Sequence, residues 1–398
     1  METDNVQKYN IKLLRIITMT LIGGLGALLP FVNVYMVRQG LNGTQVGIAV
    51  TVASLVVLYF APYWTGIHTT HRQPLVVLSL TLACAGLAAI IFGYQTTFIG
   101  ITLFNALRSA FYAAHFSISD VLVLSAIKGT DVGYGSIRLY GSVGWALIVL
   151  FTGWLTQRTN IRAGFYVYFA FNIISIVLIS LLHEKERFAL KAESHTKVNY
   201  RKEIIHLFSD PIIRSLSYML LIIGIGNAGV LNFETIYLDR LGATEFLIGI
   251  YSMASASVEV LAMPLTDYAL RKFDLTKVLI LGLFTFFLLR LSVILFPAVH
   301  TIIITRFLTG FAYSIVTVGQ VVWINRSYPA SLSGAVLVIL TVTLPTLISL
   351  VFSPLTGIVY DNFGPAWLYI IAAVFYLLGM AVLMRSNRSQ MTVSQRGG

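Results

Sequence analysis

Residues Phe31–Gly40, FVNVYMVRQG, and residues Phe233–Gly242, FETIYLDRLG, decide the fold, because they are one segment written twice at a spacing of 202 residues. The register carries Phe31 onto Phe233, Tyr35 onto Tyr237, Arg38 onto Arg240 and Gly40 onto Gly242. Continued without a gap, it carries Gly47 and Ile48 onto Gly249 and Ile250, and Pro62 onto Pro264. A constant register through two apolar segments and the turn between them marks an internal duplication. The chain is therefore read as two copies of one apolar unit.

Working outward, the 398 residues are 57% hydrophobic and only 11% charged, with a mean hydropathy of +0.83. Soluble domains carry about 25% charged residues. A chain this apolar cannot cover its surface with polar groups in water, whereas in lipid it need not. Apolar runs of about 20 residues predict spans over 11–37, 44–66, 74–94, 98–126, 137–156 and 163–182. After a charged stretch, His183 to Asp210, six more follow over 212–238, 246–270, 275–296, 301–325, 332–358 and 365–384. The expected division is a first half at 1–182, a linker at 183–211 and a second half at 212–398. The polar start Met1–Asn10 and the lack of a small-residue cleavage site predict a retained first helix rather than a signal peptide. A single cysteine, Cys84, excludes disulfides and Cys-based metal sites.

Charge placement sets the orientation. Of 27 Lys and Arg, 17 fall on segments that share a side if both termini do, 4 on the opposite segments, and 6 within or at the ends of spans. Lys and Arg accumulate on the cytoplasmic face, so both termini are expected inside. The same bias accounts for the net charge of +11 without a nucleic-acid partner. No P-loop, zinc spacing or catalytic triad context occurs, and Gly224 with Gly226 reads as a packing feature. The expectation is a non-enzyme with no metal or cofactor, driven by an ion or solute gradient rather than ATP.

Two parallel six-span halves related by an axis along the membrane normal are the plan of major facilitator transporters, and this chain resembles that superfamily. The fold implied is an all-α membrane protein of twelve transmembrane helices in two six-helix halves. The stretch PLTDYALRK, Pro264–Lys272, resembles the superfamily's cytoplasmic loop G-x-x-x-D-R-x-G-R-[RK], with Asp267 and Arg271 kept. The span 2–3 copy, Gly66–Arg72, keeps the glycine and a base but lacks the acid. The resemblance implies that Gly66, Asp267 and Arg271 belong to gating loops, which clamp helix ends in one state and do not select solute.

A closer resemblance lies in YGSIRLYGSVGW, Tyr134–Trp145, which is similar to the start of helix 5 in the lactose permease family and its oligosaccharide and phenylpropionate relatives. That family has an acid on helix 4, 18 residues before the arginine, and a tryptophan seven after it, which here are Asp120 and Trp145 around Arg138. The resemblance implies that Asp120 and Arg138 hold solute hydroxyls and that Trp145 is a stacking plate. The chemistry suits the roles: a guanidinium forks donors, a carboxylate accepts, and an indole covers an apolar ring face. The other reading of Asp120 and Arg138 is an ion pair that only locks two helices. Gly141 and Gly144 would let a neighbouring helix approach closely.

Ionisable groups within spans are functional candidates because burying a charge in lipid is costly. Glu259 and Arg290 lie at similar depth on spans 8 and 9, where the phenylpropionate relatives also carry a glutamate and an arginine. They are expected to pair, with Glu259 as proton carrier, or to form a static ion pair. The family's histidine and glutamate on helix 10 correspond here to Gly310 and Tyr313, so its coupling machinery is altered. On span 4, Arg108, Tyr112, His115 and Ser119 share a helix face, and Arg108 and His115 are further solute-binding candidates facing a central cavity. Glu234 reads as a rim or gate residue, with Asn227 and Asn232 beside it as a polar wall.

The function expected is proton-coupled symport of a small polar organic solute, sugar or nucleoside-like ahead of aromatic acids, by alternating access. The residues leave direction open, and an exporter of drugs or metabolites by proton antiport is the alternative. Expected partners are the solute, protons and the lipid bilayer of the plasma membrane, with the chain acting as a monomer.

Overall fold

The computed structural model describes residues 2–70, 74–113, 115–183, 211–328, 336–337 and 339–394. The charged linker clusters and Arg72 lie outside the described residues. All regular structure among the described residues is helical, as lipid demands of a chain that must satisfy its own backbone groups. The first set is α1 (Glu2–Arg38), α2 (Gly43–Thr70), α3 (Pro74–Phe92), α4 (Phe98–Tyr112), α5 (His115–Ile127), α6 (Tyr134–Arg158) and α7 (Ala163–Ser180). The second is α8 (Pro211–Arg240), α9 (Glu245–Lys272), α10 (Leu275–Leu295), α11 (Val299–Ser327), α12 (Leu344–Phe363) and α13 (Pro365–Ser394). A π-helical turn, Ile339–Thr343, leads into α12.

Eleven helices among the described residues are individually long and apolar enough to span a membrane. The remaining expected span, 98–126, contains α4 and α5, with Ala114 between them outside the described residues. Thr97 starts it by accepting the Gly100 N–H at 3.2 Å, an N-cap bond. Twelve spans result, as the sequence pattern predicts.

The duplication holds at the level of helix ends. α1 and α8 stop at Arg38 and Arg240, and α2 and α9 start at Gly43 and Glu245, each pair 202 residues apart. Gly40 and Gly242 follow the two helix ends with φ of +92° and +85°. That left-handed conformation is one a side chain resists, so glycine recurs in both copies.

The chain forms two compact units, one of Met1–His195 with Gly242–Met253, the other of Thr196–Leu241 with Ala254–Gly398. The start of α9 thus groups with the first unit, whereas the sequence division gave all of 212–398 to the second half. In the first unit, Leu14 and Ile17 of α1, Leu78 and Leu82 of α3, Leu122 of α5 and Ile179 of α7 form a buried core. Tyr35 anchors the far end of α1 by donating to the carbonyls of Gly93 and Gln95 at 2.8 and 2.9 Å. α1 and α6 cross at Gly144, where any Cβ would strike the Met19 backbone. In the second unit the Phe286 and Tyr376 rings stack at 4.9 Å.

Candidate functional site

The second unit encloses a cavity of about 420 Å³, within the range of solute pockets. Asn227 and Asn232 of α8, Gln320 of α11 and Ser349 of α12 supply hydrogen-bonding groups, while Phe286, Tyr313 and Tyr376 supply ring faces. None of its described lining residues is charged. Gln320 is buried, and its Nε2 has no hydrogen-bond partner, a donor left for a guest because buried polar groups are otherwise satisfied. Asn232 Nδ2 is turned to Ser353 Oγ at 3.0 Å. The π-helical turn contributes Leu340 and Thr341, and Pro345 begins the α-helix beyond it. Proline has no N–H for the preceding turn, and π-helical turns recur at functional sites.

Beside this cavity lies a buried charge network. Arg290 Nη1 donates to Glu234 Oε1 at 3.2 Å, and the Tyr369 hydroxyl donates to the same oxygen at 2.8 Å. Arg306 Nη1 is 3.9 Å from Glu234 Oε2. Arg290 Nη2 donates to Asn227 Oδ1 at 3.1 Å, which ties the network to the cavity wall. The Glu234 and Arg290 side chains are only 2% and 3% exposed, so each needs the other.

This corrects two expectations. Glu234 is a buried partner of two arginines, not a rim residue. Arg290 pairs with Glu234 and not with Glu259, which instead accepts from Ser255 Oγ at 2.8 Å. Depth along neighbouring helices equated Glu259 with Arg290, but depth gives no azimuth. Arg306 is the cation within electrostatic reach of Glu259.

In the first unit, Asp120 and Arg138 make no ion pair within 4 Å. The Tyr134 hydroxyl donates to Asp120 Oδ1 at 2.7 Å and lies against the Arg138 guanidinium. That guanidinium is 5.8 Å from the Phe116 ring centroid. It extends over Gly141, where a Cβ would come within 2.9 Å of its Nη1. Trp145 donates its indole N–H to the Ser252 carbonyl at 3.2 Å, which leaves its ring face for contact.

The Arg108 stripe does not line an open cavity. Arg108, His115 and Ser119 are 3%, 4% and 7% exposed. The Arg108 guanidinium lies 5.5 Å from the Tyr112 ring centroid, and the Tyr112 and His115 rings meet edge-on at 6.3 Å. The shared helix face is therefore real, but it is packed inside the unit. Arg108 Nη2 donates to Asn105 Oδ1 at 2.7 Å, while Nε and Nη1 have no partner. An uncompensated buried cation costs several kcal/mol.

Of the gating residues, Arg271 Nη2 donates to Asp267 Oδ2 at 2.6 Å within α9, with both side chains largely in the open. The stretch is thus a helix end, not a loop. Gly66 lies inside α2, and a Cβ there would meet open space. Gln320 and Tyr376 escaped the sequence reading, since an isolated amide or phenol in an apolar run carries no pattern.

Two six-span repeats, the second holding a cavity lined by amides, hydroxyls and rings, define the class, a multi-pass membrane transporter of the major facilitator fold. The chain belongs to the MFS_1 like family, whose model it matches over residues 13–371. It is similar to the uncharacterized transporter YwbF of Bacillus subtilis (strain 168), 24% identical over 319 residues, 79% of this chain and 77% of that protein. The maltose permease of Geobacillus stearothermophilus is 24% identical over 258 residues, 65% of this chain and 64% of that one. The crystal structure of the nucleoside transporter NupG superposes with a TM-score of 0.80 at 12% identity, covering 95% of this chain and 98% of that one. At that identity the likeness is one of fold.

Proposed function

We propose that the protein is a proton-coupled symporter of a small, uncharged, hydroxyl-rich solute with a ring face, a sugar or a nucleoside. It would act as a monomer in the plasma membrane with both termini cytoplasmic, as the Lys and Arg bias suggests. The observation that carries the reading is a continuous line of groups in the second unit. It runs from Asn227 on the cavity wall through Arg290 and Glu234 to Arg306, which lies within electrostatic reach of Glu259.

The cavity chemistry supports the solute class. Amides and hydroxyls match solute hydroxyls, three aromatic rings match an apolar ring face, and a described lining without charged side chains suits a neutral guest. A maltose permease among the relatives and a nucleoside transporter among the folds agree with that class. Asp120, Arg138 and Trp145 are proposed as the first unit's solute contacts.

Glu259 is proposed as the proton carrier. Bonded to a neutral hydroxyl, it can take a proton without breaking an ion pair, whereas Glu234 would have to release Arg290. A solute that takes the Asn227 carbonyl oxygen removes one partner of Arg290. The guanidinium then draws more fully on Glu234, loosening Arg306 towards Glu259. Solute and proton would in this way alter one another's binding, and such coupling is necessarily reciprocal.

Uptake into proteoliposomes, screened over sugars and nucleosides with and without an inward proton gradient, tests the reading. The expected result is accumulation of one of these solutes that depends on the gradient. Gradient-independent equilibration would remove symport, and uptake confined to charged solutes would remove the solute class.

A further inference from the structure

We propose that Arg108 is the centre of an anion-binding site inside the first unit, taking a monovalent carboxylate or halide. These two sources share the chemistry that a guanidinium edge recognises. The argument is one of unspent donors. Arg108 is 3% exposed and is always protonated in proteins, yet its Nε and Nη1 have no hydrogen-bond partner. The fully buried Tyr168 hydroxyl lies beside the Asn172 amide and within electrostatic reach of the same guanidinium, with its own O–H still to give. Two nitrogens and a hydroxyl around one uncompensated charge form a donor set with no acceptor.

No described residue of the unit supplies the missing charge. Among acids with described side chains, Asp120 is bonded to Tyr134, Glu245 is paired with Arg38 at 2.6 Å, and Asp131 is exposed in a turn. Elsewhere on the guanidinium, Asn105 accepts from Nη2, and the Tyr112 ring covers one face. Asn105 is itself held by donating to the Ala49 carbonyl at 3.3 Å, so α2 fixes the group that aims Arg108. A cation positioned this firmly with its remaining donors empty is built to receive an anion. A single guanidinium suits a single negative charge.

The site uses no residue of the second-unit cavity, so its failure and the failure of the symport reading are separable. The experiment is thermal unfolding of the full chain, purified in detergent, with sodium chloride or sodium acetate titrated against a bulky sulfonate salt at constant ionic strength. A ligand that binds the folded state raises its melting temperature. The expected result is a saturable rise with one or both small anions, lost in Arg108→Met and kept in Arg108→Lys. Tyr168→Phe, which keeps the ring, should weaken the apparent affinity about tenfold. In the sulfonate salt Arg108→Met should melt above the wild type, since an unpaired charge has gone. A rise with chloride alone supports the site and names an inorganic anion; a rise with acetate alone supports it and names a solute carboxylate. No rise with either anion in the wild-type chain, or a rise that survives in Arg108→Met, overturns the proposal. The wild-type titration decides even if a variant does not fold.

Discussion

The two units handle buried charge in opposite ways. In the second, Glu234 lies between Arg290 and Arg306 and takes a further bond from Tyr369, so cations and anion balance within one cluster. In the first, Arg108 is as deeply buried but among the described residues meets an amide, a ring and a phenol and no acid. The duplication fixed helix ends and turn glycines in both copies, and it did not fix their polar chemistry. Helix register is a property of the backbone and of packing. Charge placement is free to diverge once each unit folds, and that divergence underlies the two proposals, a coupling line in one half and an anion site in the other.

The largest expected effect comes from turning the second unit into the condition of the first. Glu234→Ala strands Arg290, and removing one partner of a buried pair costs about 3–5 kcal/mol. Thermal unfolding should show a large fall in melting temperature, with much of it restored in Glu234→Ala combined with Arg290→Met. A single variant as stable as the wild type would end the claim that the cluster is balanced.

A smaller effect is expected where the first unit depends on packing. Gly144→Val drives a side chain into the Met19 backbone, and overpacking of this kind costs about 1–3 kcal/mol. Denaturation midpoints would measure it, and an unchanged midpoint would mean that α1 and α6 can part without loss. The smallest effect belongs to the exposed pair at the end of α9. Asp267→Asn should alter stability by no more than about 0.5 kcal/mol, so a change in transport rate at constant melting temperature would isolate its proposed gating role.

Much of this architecture was legible in the sequence. Phe31, Tyr35, Arg38 and Gly40 repeat at Phe233, Tyr237, Arg240 and Gly242, and the helix ends obey the same spacing. The stripe of Arg108, Tyr112 and His115 was visible from helical periodicity, although its burial was not, because periodicity identifies a face without saying what covers it. The partner of Arg290 was misread for a related reason. Counting residues from each helix end gives height in the membrane, while pairing also depends on rotation about the axis and on which helices touch. Glu234 on α8 meets Arg290 on α10 and Tyr369 on α13, a junction of three helices that no local pattern encodes.

The central claim is that solute in the second-unit cavity is coupled through Asn227 and Arg290 to the acids beyond. Asn227→Ala cuts that line at the cavity wall and leaves the Arg290–Glu234 pair in place. The direct test is the accumulation ratio of the transported solute in proteoliposomes carrying this variant, at saturating solute and under an imposed proton gradient. The account predicts that exchange of solute across the membrane persists while uphill accumulation falls to equilibration. An accumulation ratio equal to that of the wild type would contradict it.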